Sequence, residues 1–107
     1  GNTKSNRLKG PDKVGSSVAV ASELEQNVPN PFKENTAISY FIPEANFQNA
    51  ELYILNMNGV LLQTHTIAAV GEGAIIIEGN SLSAGMYIYS LYINGEEVAT
   101  KKMILTK

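Results

Sequence analysis

The sequence predicts an all-β fold, two antiparallel sheets packed face to face, on three observations. Short runs rich in β-branched and aromatic residues recur along the chain, separated by Gly, Asn and Pro. Within those runs apolar residues alternate, and no series at spacings of three and four survives the glycines and prolines long enough to make a helix. Asn-Gly occurs twice between strand-like runs, at Asn58-Gly59 and Asn94-Gly95. That dipeptide tolerates the positive φ that tight hairpins require at both central positions. About seven strands follow, which is the complement of a β-sandwich.

From Gly1 to about Ser22 the text is polar and small (GNTKSNRLKGPDKVGSSVAVAS), with Gly10-Pro11 as a breaker, and reads as a flexible linker ahead of a domain over residues 23–107. The small run Val18-Ala-Val20-Ala would add at most an edge strand. Leu24 to Val28 is the first strand of the domain. It runs into Asn27-Val-Pro-Asn-Pro-Phe32, where Pro29 and Pro31 lack a backbone N–H and Asn30 is held away from helical geometry. No helix or central strand passes through such a segment.

The second strand is Thr36 to Ile42, with Ala37, Ser39 and Phe41 on one face and Ile38, Tyr40 and Ile42 on the other; Pro43 ends it. Ala50 to Asn56 and Val60 to Ile67 are the third and fourth, joined through Asn58-Gly59. Gly73 to Glu78 is the fifth, Met86 to Ile93 the sixth and Glu97 to Thr106 the seventh, the last two joined through Asn94-Gly95. Alternation directs Leu52, Ile54, Leu62, Ile75, Ile77, Tyr87, Tyr89, Leu91, Met103 and Leu105 inward. Tyr87 follows Leu82-Ser-Ala-Gly85, a spacing that resembles the tyrosine corner of Ig-like sandwiches, in which the phenol bonds to backbone just upstream.

With 107 residues the chain has room for one domain and one modest core. It has no cysteine, so disulfides, thiolate metal sites and cysteine nucleophiles are excluded. No stretch approaches the roughly 18 uninterrupted apolar residues of a membrane-spanning helix. It shows neither an initiator methionine nor a short apolar segment behind a basic start, and therefore reads as a piece of a longer protein. Between Glu34 and Thr100 there is no Lys or Arg, which argues against nucleic acid, whose phosphates require a basic face.

The inventory for catalysis is thin. His65 is the single histidine, mid-strand in LLQTHTI, and Asp12 the single aspartate, within the linker. A Ser-His-Asp arrangement would therefore depend on a carboxylate outside the fold, and a surface histidine is the plainer reading. One histidine and no cysteine leave only oxygen ligands for a metal, and Glu96-Glu97 beside a hairpin lacks the spaced ligands of a dedicated loop. Gly71-Glu72-Gly73 reads as a connection between strands, since no helix follows to supply amides to a phosphate. Alternation separates Tyr87 and Tyr89 from Tyr92, so the aromatic run is not a continuous sugar-stacking platform. No metal, cofactor or enzymatic activity is expected. The apolar window Ala74-Ile-Ile-Ile77 is a candidate for strand pairing between copies.

Four blocks occur in order: EQNVPNPF at Glu25 to Phe32, LYILNMNG at Leu52 to Gly59, LSAGMYIYSL at Leu82 to Leu91 and KKMILTK at Lys101 to Lys107. Together they resemble the type A C-terminal sorting domain of the type IX secretion system, over roughly Leu24 to Lys107. The resemblance implies an Ig-like sandwich attached to an N-terminal cargo domain in the same chain, in a Gram-negative bacterium. Such cargo enters the periplasm by an upstream signal, meets an outer-membrane translocon and its shuttle proteins, and is released or anchored at the cell surface. A sortase-like cell-surface peptidase removes the sorting domain, here within Gly10 to Ser22.

Carried onto this sequence, Pro29, Asn30, Pro31 and Phe32 match the proline motif, Gly85 and Tyr87 the glycine-tyrosine motif, and Lys101, Lys102 and Lys107 the basic terminal strand. Asn56 stands where many members carry aspartate, and either side chain can cap a turn. A terminal strand with these lysines discourages self-pairing and would offer Met103 to Lys107 to a translocon subunit by strand addition. A carbohydrate-binding or adhesive surface module is the alternative that the same fold supports.

Overall fold

Strand β2 (Asn35–Ile42) shows how the layers arise: Thr36, Ile38 and Ile42 are buried while Asn35 and Ser39 face solvent. A period of two on a pleated strand yields one face for a core and one for water. The computed structural model describes residues 21–44 and 47–107. The expected linker up to residue 20, with the Val18 run and most of the processing stretch, lies outside the described residues.

The remaining strands are β1 (Glu23–Leu24), β3 (Ala50–Asn56), β4 (Leu61–Ile67), β5 (Gly71–Glu78), β6 (Gly85–Ile93) and β7 (Glu96–Leu105), with a 3₁₀ turn at Gly79–Ser81 between β5 and β6. They form two antiparallel sheets, one in the order β1-β2-β5 and the other β4-β3-β6-β7. The architecture is the predicted all-β sandwich of seven strands.

Between the sheets lies one core. Leu24, Ile38, Ile42 and Ile77 enter it from the smaller sheet; Leu52, Ile54, Ile67, Tyr89, Leu91, Ile93, Met103 and Leu105 enter from the larger. Full burial of a Leu, Ile or Met side chain contributes about 1.5–3 kcal/mol, which in a chain without disulfides carries the stability. Tyr40 shows a further device: it lies opposite Gly73 across the β2–β5 ladder, and its ring occupies the space that a Cβ at Gly73 would need. An aromatic ring thereby shields a strand glycine.

Several expectations are corrected. The first strand is shorter than Leu24 to Val28: only Glu23 and Leu24 pair as a strand, and Val28 makes an isolated bridge to Ala37. Gly71-Glu72-Gly73 opens β5 itself and is not a connection. Asn58-Gly59 does not form a two-residue primed turn. Gly59 has φ 84°, but Asn94 is the sole non-glycine with positive φ among the described residues. The chain instead turns over Asn56 to Val60, where the Asn56 side-chain oxygen accepts from the N–H groups of Asn58 and Val60 at 2.9 and 3.0 Å.

That turn shifts the β3–β4 register, so that Ile54 pairs with Gln63 but Leu55 with Leu61. Leu62 is the extra residue of a bulge and lies 43% exposed, against the expectation that it faces the core. The inward positions of β4 fall to Gln63, His65 and Ile67, because cross-strand partners share a face and Leu52 lies opposite His65. The second hairpin follows the expected chemistry. Asn94 (φ 54°) and Gly95 (φ 81°) alone join β6 to β7.

Candidate functional site

The proline segment folds back on the terminal strand. β7 is an edge strand, and an edge presents a row of N–H and C=O groups that must find partners or water. Over its last residues those partners come from Gln26 to Phe32. The Phe32 N–H donates to the Ile104 carbonyl at 2.9 Å, and the Thr106 N–H donates to the Phe32 carbonyl at 2.8 Å. The Ile104 N–H donates to the Asn30 side-chain oxygen at 3.0 Å, and Gln26 Nε2 donates to the Lys102 carbonyl at 2.7 Å. Phe32 thus bridges Leu105 in parallel orientation, with its ring 2% exposed in the core.

The prolines suit this job, since a segment without two of its N–H groups can cap an edge without offering a fresh one. Both X-Pro bonds, Val28-Pro29 and Asn30-Pro31, are cis. Val28, Pro29, Asn30 and Pro31 remain exposed on the outside of the clasp.

A buried polar cluster holds the root of the segment. Asn27 is 1% exposed, and its N–H donates to Tyr89 Oη at 2.9 Å. Its Nδ2 donates to the Pro29 carbonyl at 3.1 Å and to Thr36 Oγ1 at 3.0 Å, and its Oδ1 accepts from Gln26 Nε2 at 2.7 Å. Thr36 Oγ1 in turn donates to the Pro29 carbonyl at 2.7 Å. Tyr89, fully buried, completes the set by donating its hydroxyl to the Glu25 carbonyl at 2.8 Å. Burial raises the Tyr89 pKa above the usual tyrosine value, the nearby Glu25 charge adds to this, and the Asn27 N–H opposes it. The satisfied network fixes one arrangement of the segment, since each member left unpaired in this setting is costly.

At the same end of the sandwich lies the glycine-tyrosine motif. Gly85 opens β6 with φ 155°, and a Cβ there would meet nothing within 4 Å, so the constraint on this position is backbone conformation rather than space. The chain reverses there so that the Tyr87 hydroxyl reaches the Ser83 carbonyl at 2.5 Å. This is the tyrosine corner that the spacing predicts. Gly85 lies opposite Leu105, the residue that Phe32 bridges, and Lys107 Nζ donates to the Leu82 carbonyl at 2.7 Å.

The motif residues therefore meet. Phe32, Gly85, Tyr87 and Lys107 share one corner, with Asn30 beside Ile104 and Lys102 one step back along β7. Lys101 lies opposite Tyr89 on the inner-facing side of β7, half-buried, while Lys102 is exposed. A charge on the inner face of an edge strand discourages further pairing there. An open hollow of about 550 Å³, lined by Lys33, Glu34, Asn35, Glu78, Asn80 and Lys107, adjoins the corner. Gly79 sits beneath it with its N–H on the Glu34 carbonyl, and a Cβ there would approach the Lys33 carbonyl to 2.8 Å.

One expectation about this site changes. Strand addition along Met103 to Lys107 is blocked, because the outward-facing groups of Ile104 and Thr106 already bond Asn30 and Phe32. Asn27, Thr36 and Tyr89 are the site residues that the sequence reading did not single out. Asn27 opens the proline stretch, yet nothing local distinguishes it from Asn30, since its partners lie up to 62 residues away.

The candidate chemical groups are committed elsewhere. His65 Nε2 lies 2.8 Å from Gln63 Oε1, and burial lowers its pKa. Ser81 Oγ, the hydroxyl on the same flank, donates to the Glu78 carbonyl and accepts from Gln63 Nε2. The Glu97 carboxylate accepts from Thr100 Oγ1 at 2.5 Å and Tyr92 Oη at 3.3 Å. Tyr92 lies on the outer face against Tyr53, with ring centroids 4.6 Å apart and planes tilted by 40°, away from the core positions of Tyr87 and Tyr89.

No curated protein and no solved structure matches the chain. A family model described as the secretion system C-terminal sorting domain matches residues 28–106, a span from Val28 of the proline segment to Thr106 at the end of the clasp. That family is one of sorting signals and not of enzymes, and its members mark proteins for export through the type IX secretion system to the medium or the cell surface. A chain whose proline segment, tyrosine corner and basic final strand converge on one corner of an Ig-like sandwich, and which that model matches over most of its length, belongs to the type IX secretion C-terminal sorting domains.

Proposed function

We propose that this domain is the export signal of a cargo domain in the same chain, and that the corner joining Asn27–Phe32 to Lys101–Lys107 is the surface the export machinery reads. The convergence of the three motif blocks on that corner carries the reading. A translocon subunit or shuttle protein meets the exposed Val28, Pro29, Asn30 and Pro31 together with Lys102 and Lys107 as one surface. The cargo passes through the periplasm of a Gram-negative bacterium, crosses the outer membrane, and is released or anchored. A sortase-like peptidase then cuts within Gly10 to Ser22, ahead of the first strand in the sequence.

The test is a fusion of Gly1–Lys107 behind a periplasmic reporter in a host that has this pathway, followed by sequencing of the C-terminus of whatever leaves the cell. The reporter is expected outside, ending between residues 10 and 22. Reporter that stays in the periplasm sinks the export reading. Exported reporter that retains the intact domain favours the carbohydrate-binding or adhesive alternative over a removable signal. Asn30→Ala tests the surface itself, since it removes the exposed side chain that caps Ile104 and leaves the core untouched. Export is expected to fall while the folded fraction is unchanged, as measured by circular dichroism.

A further inference from the structure

The two sheets expose different edges on their two flanks. β7 and β1 share one flank, which the proline segment closes; β4 and β5 are the edges of the other. Among the described residues nothing pairs with the outer edge of β4. Its sequence, LLQTHTI, contains no Lys, Arg, Asp, Glu or Pro, so it has none of the usual side-chain devices against edge pairing. A bulge at Leu61 and Leu62 twists one end and leaves Gln63 to Ile67 in regular register. Met57, Val60, Leu61 and Leu62 are four of the seven large apolar side chains exposed among the described residues, and all four belong to this hairpin. Scattered exposed apolar residues are ordinary, whereas a contiguous set marks a surface that something covers.

We propose that a second copy of this chain covers it: two β4 strands pair antiparallel about a twofold axis at Thr64, joining the four-stranded sheets of two copies into one. Charge selects this edge and this occupant. A twofold pair sets each strand against itself, so any charged edge meets its own charge. β7 would bring Lys101 and Lys102 toward their counterparts and is already clasped; β1 is two residues long and carries Glu23. β5, where the Ala74 to Ile77 window lies, carries Glu72 and Glu78 on its exposed face and would double the carboxylates there. β4 alone meets itself without like charges.

An axis at Thr64 also preserves the faces. Gln63 of one copy stands opposite His65 of the other, so the amide–imidazole pairing now made within a strand is available across the axis. A hollow of about 310 Å³ lined by Gln63, His65, Ile76, Glu78 and Ser81 opens on this flank, beside the two side chains that the axis would bring together. The apolar hairpin tip of one copy extends over Ala68 and Ala69 of the other, both of which are exposed in the single chain.

Sedimentation equilibrium on the Gly1–Lys107 chain tests this. The expected mass rises with concentration from 11.5 kDa to twice that value. Thr64 is exposed, so Thr64→Lys and Thr64→Glu are expected to keep the circular dichroism spectrum, and to keep the thermal midpoint at concentrations where the wild type is monomeric. Each is expected to abolish the dimer by placing like charges across the axis. An equimolar mixture of the two variants is expected to restore it. A wild-type chain that stays monomeric to its solubility limit, a dimer that survives both substitutions, or a mixture that fails to reassociate would each overturn the proposal.

Discussion

The two flanks of this sandwich solve the edge-strand problem differently. On one, β7 reaches its last residues with its outward N–H and C=O groups bonded to Asn30 and Phe32, its inner face carrying Lys101 and its outer face Lys102. On the other, β4 runs without a charge or a proline and ends in an apolar hairpin tip. The first edge is covered by residues that the fold holds through a buried network, while the second is left to whatever meets it. The contrast shows that the proline segment is part of the fold's closure as well as of its surface. Its outside is exposed, and its inside is core.

That contrast can be broken at the clasped flank first, where the effects are largest. Phe32→Ala removes a ring that is 2% exposed and that anchors the clasp. Large-to-small changes of a buried aromatic cost about 3–5 kcal/mol, a large fraction of a small domain's stability. Chemical denaturation is expected to show a loss of that size, and export of a fused reporter is expected to fail with it. An unchanged denaturation midpoint would mean that the clasp contributes nothing to the fold.

Tyr89→Phe is a finer cut. It keeps the ring in the core but leaves the Asn27 N–H and the Glu25 carbonyl without their hydroxyl partner. Stranding buried polar groups costs about 1–3 kcal/mol. The loss should appear in urea denaturation, with amide exchange at Asn27 accelerated relative to that at Leu52 in the core.

On the open flank the effects are smaller. His65 is half-buried on the inner face of β4, and its pKa is lowered by burial from the ordinary 6.5. A folded-state pKa below the unfolded one means that the unfolded chain takes up the proton first. The contribution is therefore fully present above about pH 6.5 and is lost as pH falls through the interval below. The denaturation midpoint is expected to decline on acidification through that interval, and His65→Gln is expected to flatten the decline. Leu62→Ser, at the exposed bulge, should change stability by no more than about 0.5 kcal/mol. A larger loss in dilute monomer would show that the bulge packs against more than solvent.

What the sequence made legible follows the range of the interactions involved. The Asn94-Gly95 hairpin and the Tyr87 corner were readable because each is completed within a few residues, the corner by a bond to Ser83. Alternation placed Leu52, Ile54, Tyr89 and Leu91 correctly because they lie on long regular strands. It misplaced Leu62 because Asn-Gly does not by itself choose between a tight primed turn and a longer one. The longer turn here, capped by Asn56, puts an extra residue into β4. The clasp was illegible for a different reason. Asn30 and Ile104 are 74 residues apart, and no local pattern in either segment names the other. The family resemblance places both segments in one signal, and the hydrogen bonds of Asn30 and Phe32 to Ile104 and Thr106 supply the physical link between them.

That separation has a consequence for synthesis. A chain under construction on the ribosome makes Asn30 and Phe32 long before Ile104 and Thr106, so the proline segment waits for β7 before it can dock. A polypeptide that stops short of Ile104 carries the prolines but has no strand to seat them on, and its corner never forms. Cargo followed by such a truncated domain lacks the surface proposed above as the export signal.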